Sequence, residues 1–233
     1  MNNLKESGIF IITIDGPSGV GKGTVAQRLA NALNWHFLDS GALYRVLALA
    51  AQRQGVSTED TDTLEKLSES MPVKFRVMPD HTTRIYLNDE DVTTFLRTEQ
   101  CGEWASKVAV IPGVRHGLLQ RQRSFCQSPG LVADGRDMGT VVFPEATLKF
   151  FLNATANVRA ERRYKQLINQ GVSVNLTELE REILARDARD RNRLVSPLRP
   201  AEDAIKIDTT QLSANQVFEQ VHALVLERIQ IER

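Results

Sequence analysis

The sequence predicts an α/β fold: a parallel sheet of about five strands flanked by helices, interrupted by a small antiparallel β insert. Three observations predict it. Residues 9–15, IFIITID, form a nearly continuous apolar, β-branched run, as a strand buried on both faces requires. Further short apolar runs alternate with amphipathic helical stretches, the rhythm of strand–helix–strand units. One segment, residues 72–92, breaks that rhythm with apolar–polar alternation.

The first strand ends at Gly16 and Pro17, and KGTVAQRLANAL at 22–33 then places Val25, Leu29, Ala32 and Leu33 at helical spacing. A brief strand at 35–38 precedes a second helix in ALYRVLALAAQRQ. The alternating segment 72–92 contains a Pro79–Asp80 turn signal and reads as a hairpin or a three-stranded insert. Residues 55–103, which contain it, form either a small mobile subdomain or a rigid decoration on the sheet core. LVAD at 131–134 and LKFFLN at 148–153 are strand-like, and 155–168 and 176–192 are helical. AIKID at 204–208 is the last strand, and a final helix starts at Ser213.

With 233 residues, 42% hydrophobic and 25% charged, the chain is an ordinary globular protein, a single domain that buries roughly 70% of its unfolded surface. Its 29 basic and 29 acidic residues exclude a polycationic nucleic-acid coat and an acidic disordered chain, so nucleic acid is not an expected partner. The balance is a cancellation, because residues 55–103 carry eleven acids against five bases while nine of the 21 arginines fall in 159–199. Cys101 and Cys126 lie far apart and the four histidines are scattered, so neither a disulfide framework nor a His/Cys metal site is expected. The N-terminus lacks a signal-peptide pattern, and no window approaches the roughly 18 apolar residues of a membrane span. A cytoplasmic protein, with no membrane partner, is expected.

The chemistry begins right after the first strand. Gly16-Pro17-Ser18-Gly19-Val20-Gly21-Lys22-Gly23-Thr24 satisfies G-x-x-x-x-G-K between a strand and a helix, the setting that gives this phosphate loop (P-loop) its meaning. Its glycines let backbone N–H groups converge on an anion, the helix start adds unpaired donors, and Lys22 adds a point charge for the β/γ-phosphates. Gly23 stands where many such loops place a Mg²⁺-binding hydroxyl, so Thr24, one residue later, either faces the phosphates or caps the helix. Asp134, after Leu131-Val132-Ala133, has the form of the strand-end carboxylate that holds Mg²⁺ directly or through water. Asp15 competes for that role or orients the loop. No N-K-x-D, H-R-D or D-F-G is present, which argues against a GTPase switch and a protein kinase.

Three further segments are diagnostic: Leu38-Asp39-Ser40-Gly41-Ala42-Leu43-Tyr44-Arg45, Asp134-Gly135-Arg136-Asp137-Met138-Gly139-Thr140, and Arg186-Asp187-Ala188-Arg189-Asp190-Arg191-Asn192-Arg193. With GPSGVGKGT they closely resemble the bacterial cytidylate kinase family of P-loop nucleoside monophosphate kinases, from about residue 9 to about residue 230. The resemblance implies a P-loop NTPase core (residues 9–54, 104–158 and 172–233), an NMP-binding insert at about 55–103 and a short lid at about 159–171. It implies ATP-dependent phosphorylation of CMP and dCMP with Mg²⁺. The ATP site would comprise residues Gly16 to Thr24 and, in the lid, Arg162. Ser40, Arg45 and Arg136 correspond to binders of the acceptor's phosphate or ribose, and Asp190 to a sugar contact. Ser106, Arg115 and Asp137 correspond to the cytosine readers. A monomer is expected.

These residues also make chemical sense together. A phosphate monoester acceptor is already anionic, so catalysis reduces to in-line positioning and charge neutralisation, with Lys22, Arg186 and Arg193 as the catalytic cations and no general base. Arg186, Asp190 and Arg193 fall at i, i+4, i+7, one face of a helix, where the alternative is a surface ladder with Glu182 and Asp187. Asp137 can accept from the cytosine amino group while Arg115 donates. The rivals are a P-loop kinase for UMP, shikimate or dephospho-coenzyme A, and a non-catalytic nucleotide sensor.

Overall fold

The computed structural model describes residues 9–78, 82–169 and 171–229; the Pro79–Asp80 turn lies outside the described residues. The chain forms two compact units: the described residues up to Leu38 with those from Phe125 onward, and Asp39–Ser124.

The first unit carries the expected parallel sheet. Its strands are β1 (Phe10–Asp15), β2 (His36–Asp39), β6 (Gly130–Gly135), β7 (Leu148–Asn153) and β8 (Ile205–Asp208), in the order β2-β6-β1-β7-β8. Every residue of β1 after Phe10 is buried, which explains the unbroken apolar run: the strand lies central and is covered on both faces. On one face Ile12, Ile14, Val132, Phe150 and Leu152 pack with Val25 and Leu29 of α1 (Lys22–Leu33) and with Val217, Val221 and Val225 of the last helix (Ala214–Arg228). That helix starts with a reciprocal capping box between Ser213 and Gln216, which satisfies its orphan N–H groups.

Register places the functional segments. Ile14 lies opposite Asp134 and Asp15 opposite Gly135, so β1 and β6 end level and release their loops side by side at the carboxyl edge of the sheet. In open α/β sheets that edge is where ligands bind. Away from it, Phe10 stacks on Trp35 with ring centroids 5.9 Å apart, and the Trp35 indole occupies the space a Cβ on Gly130 would need. Trp35 and Phe37 both pack against the core cluster.

The second unit holds α2 (Ser40–Arg53), α3 (Thr61–Ser70), β3 (Val73–Val77), β4 (Thr83–Leu87), β5 (Glu90–Asp91), α4 (Glu99–Val108) and α5 (Pro112–Arg123). The alternating segment is a three-stranded antiparallel sheet in the order β3-β4-β5. Asp39, Asp60 and Thr98 cap α2, α3 and α4 by accepting a backbone N–H of the first turn. Cys101 and Cys126 are both free. Among the described residues no helix is long and apolar enough to cross a membrane.

Candidate active site

The loop after β1 leads directly into α1, whose N-cap is Gly21 with φ of 94° and no side-chain cap. Thr24 is exposed on the first turn and does not cap the helix. Gly16 is forced: a Cβ there would collide with the Leu152 carbonyl of β7, so only glycine lets the loop pass the neighbouring strand.

Lys22 is buried, donates from Nζ to the Pro17 carbonyl at 2.8 Å, and stands 4.0 Å from Asp134 Oδ1. Burial and then the positive field of Arg136 and Arg186 pull it down to about 7, against the opposing pull of Asp134 and Asp15. Asp134 Oδ2 lies 3.2 Å from where a Cβ on Gly23 would be, so the small residue after the lysine leaves room for the carboxylate. Among the described residues no three His, Cys, Asp or Glu side chains cluster as a metal site. A single hard oxygen donor beside a phosphate loop fits an ion such as Mg²⁺, which binds one or two carboxylates and otherwise substrate phosphates and water.

Asp15 faces the backbone instead. Its oxygens accept from the Met138 and Gly139 N–H groups, each at 2.8 Å, which holds the turn that follows Arg136 and Asp137. Burial pushes this carboxyl up to about 7 despite those two N–H donors; Asp137 adds to the rise and Lys22 opposes it. Asp137 itself is buried.

Helices α6 (Ala156–Asn169) and α7 (Leu176–Arg191) follow β7 and supply the arginine-rich part of the site. Asp190 accepts from Arg136 Nε at 3.0 Å and stands 3.9 Å from Arg193 Nη2. Burial alone would raise its pKa, but Arg136, Arg193 and Arg186 together hold it below the usual carboxylate range. The helical-face expectation needs a correction at one residue: α7 ends at Arg191 with Asn192 as its C-cap, so Arg193 lies past the helix. It is nevertheless buried and donates from Nε to the Asp190 carbonyl at 3.2 Å. The surface-ladder alternative fails at Asp187, which is buried and paired with Arg159.

Arg159 was not singled out as a site residue by sequence reasoning beyond its place in the expected lid. It is 2% exposed and donates to the Ala154 carbonyl at 3.0 Å, the Ser18 carbonyl at 2.9 Å and Asp187 Oδ1 at 3.2 Å. Arg162 donates to the Thr209 hydroxyl at 3.2 Å and to the Thr209 and Leu212 carbonyls at 2.6 and 2.9 Å.

The remaining candidates lie in the second unit. Ser40 is buried at the start of α2. Arg45 donates to the Leu96 and Thr98 carbonyls at 2.6 and 3.3 Å, with its guanidinium packed over Gly102. Ser106 and Arg115 sit on α4 and α5 and are both buried rather than on plain helix surface. Arg115 donates to the Ala109 carbonyl at 3.1 Å and lies 5.5 Å from the Tyr44 ring centre. Buried polar side chains of this kind are unusual in helices unless they serve a ligand or a network.

A central parallel strand that runs into a lysine-bearing phosphate loop, level with a strand-end carboxylate and beside buried arginines, defines a P-loop nucleotide-binding protein of the kinase type. The family model for cytidylate kinase matches residues 12–227. The chain belongs to the cytidylate kinase family. A cytidylate kinase of Marinomonas sp. (strain MWYL1) is 55% identical over 213 residues, 91% of this chain and 94% of the relative. One of Dichelobacter nodosus (strain VCS1703A) is 56% identical over 214 residues, 92% and 95% of the two chains. A solved gluconokinase structure from Sinorhizobium meliloti 1021 gives a TM-score of 0.47 at 16% identity, covering 96% of each chain.

Proposed function

We propose that this chain transfers the γ-phosphoryl group of ATP to CMP and dCMP, using Mg²⁺, arginine charge stabilisation and no general base. The observation that carries the chemistry is the cationic cluster of the first unit, in which Lys22 and Arg193 are buried and Arg136 and Arg186 half-buried. Lys22 lies in the field of Arg136 and Arg186, and Arg136, Arg186 and Arg193 surround Asp190. Such a concentration of desolvated positive charge beside a phosphate loop is costly unless anions complete it. The family assignment supplies the acceptor, a pyrimidine nucleoside monophosphate.

The N–H groups at the start of α1 and Lys22 hold the donor phosphates. Asp134 would hold Mg²⁺ together with phosphate oxygens, and the ion, when bound, neutralises charge on the donor. Arg186 and Arg193 stabilise the charge that spreads over the transferring group, an interaction worth orders of magnitude in rate. Arg136, steered by Asp190, grips the acceptor phosphate or ribose together with Ser40 and Arg45. Ser106, Arg115 and Asp137 read the base, with Asp137 accepting from the amino group at position 4. UMP carries a carbonyl there and would meet a carboxylate with no proton between them.

The test is ADP formation from MgATP with CMP, dCMP, UMP, AMP and shikimate as acceptors. CMP and dCMP are expected to give the highest kcat/KM. Turnover absent with CMP, or faster with UMP, would overturn the proposal.

A further inference from the structure

Within the first unit one guanidinium ties four pieces of chain together. Arg159, on α6, donates to the Ala154 carbonyl, to the phosphate-loop carbonyl of Ser18 and to both oxygens of Asp187 on α7. Both charged side chains are at most 5% exposed, and the partners are 28 residues apart in sequence. A buried ion pair of this kind is seldom a net source of stability. A geometric role accounts for it better.

The geometry of the peptide bond supplies that role. In a trans peptide the C=O and the following N–H point in opposite directions. The Ser18–Gly19 bond is trans, and its carbonyl is held by Arg159 Nη1 at 2.9 Å. The Gly19 N–H is therefore turned away from Arg159 and outward from the core. Gly19 itself is exposed, with φ of 76°, and a Cβ there would lie 3.4 Å from Arg159 Cβ, so α6 backs the loop. Asp187 and Asp190 are three residues apart, hence on one side of α7. Through them the same helix turn holds Arg159 behind the donor loop and Arg136 at the end of β6.

We infer that Arg159, locked by Asp187, is a positioning residue that presets the Gly19 N–H as a phosphate donor. This rests on reading the loop as the donor-nucleotide site. Arg159 touches no reacting atom; it acts through the 18–19 peptide. Lysine cannot replace it, because one ammonium cannot span two backbone carbonyls and both oxygens of a carboxylate.

The experiment follows the backbone amide of Gly19 by NMR while MgADP is added to the ¹⁵N-labelled full chain, alongside ADP affinity by calorimetry. In the wild type the Gly19 amide proton should move downfield on MgADP addition; if it does not move, the inference falls before any variant is made. In Arg159→Lys, and in the charge-neutral pair Arg159→Gln with Asp187→Asn, that shift should shrink and ADP affinity should drop at least tenfold. The KM for the acceptor should stay within about twofold of wild type while the KM for ATP rises. A merely structural pair would lower the melting temperature yet leave the Gly19 shift and ADP affinity of the folded protein unchanged, and that result refutes the positioning role. Equal weakening of ATP and acceptor refutes it too. Because the ADP titration contains no acceptor, a chain that binds ADP in this way yet fails to phosphorylate CMP would overturn the proposed function and leave the Arg159 inference standing.

Discussion

Replacing Asp15 by asparagine is expected to change the stability of the protein by an amount that depends on pH in an unusual direction. The native carboxyl is raised from 3.8 to about 7, chiefly by burial. An acid whose folded pKa lies above its unfolded one stabilises the fold fully below the unfolded value and loses that contribution as pH rises through the folded value. At pH 5 the unfolded carboxyl is largely ionised while the native one stays protonated, about two pH units below its midpoint. At about 1.4 kcal/mol per pH unit, this favours folding by about 2–3 kcal/mol. At pH 8 both states are ionised and the contribution vanishes. Asparagine titrates in neither state. It also offers one acceptor oxygen where the ionised Asp15 offers two to the Met138 and Gly139 N–H groups, a cost of about 1–3 kcal/mol that relief of a buried charge opposes at pH 8. The stability of Asp15→Asn relative to wild type should therefore fall by about 2–3 kcal/mol between pH 8 and pH 5. Lys22, drawn down to about 7, is held up in part by the Asp15 charge, so it falls further in Asp15→Asn and adds to the loss towards acid. Urea unfolding of both proteins at pH 5, 6.5 and 8 measures the trend. A deficit that is constant with pH, or that grows towards pH 8, would refute the reasoning.

Two further substitutions probe the site. Asp137→Asn converts a buried acceptor into a group that can donate, so the ratio of kcat/KM for CMP over UMP should fall at least tenfold, and an unchanged ratio removes Asp137 from base recognition. Gly16→Ala, with φ of 151° and the Leu152 carbonyl in the way, should cost about 2 kcal/mol or more in urea unfolding, and a loss under about 0.5 kcal/mol would show that the loop can move aside.

Much of the core was legible because local signals and tertiary demands agree there. The strand at 9–15, its phosphate loop and the helix behind it carry apolar pattern and glycine placement that point one way, and β6, β7 and β8 lie within a residue of where their apolar runs predict. The Arg159–Asp187 pair was not legible. Both residues sit in runs of charge whose spacing matches a solvated helix face, and no local signal links positions 28 apart. Ser106 and Arg115 emerged only through resemblance, since a buried polar residue on a helix leaves no periodic trace. Arg193 departs from the shared helix face for a simpler reason: the charge pattern runs on past Asn192, while the helix does not. Asp15 accepts from Met138 and Gly139 in the turn after β6 and not from the phosphate loop it was expected to orient, a partnership with Met138 that is 123 residues away in sequence.

The stacking of Trp35 on Phe10, at the end of the sheet away from the phosphate loop, has a practical spectroscopic consequence. The chain has two tryptophans, and they fall one in each compact unit, Trp35 in the first and Trp104 in the second. Trp104→Phe would leave an emission that reports solely on the melting of the parallel sheet, and Trp35→Phe one that reports on the helices around the antiparallel strands. With the two dyes nature has already installed, the independence or cooperativity of the two halves becomes a matter of comparing two fluorescence curves.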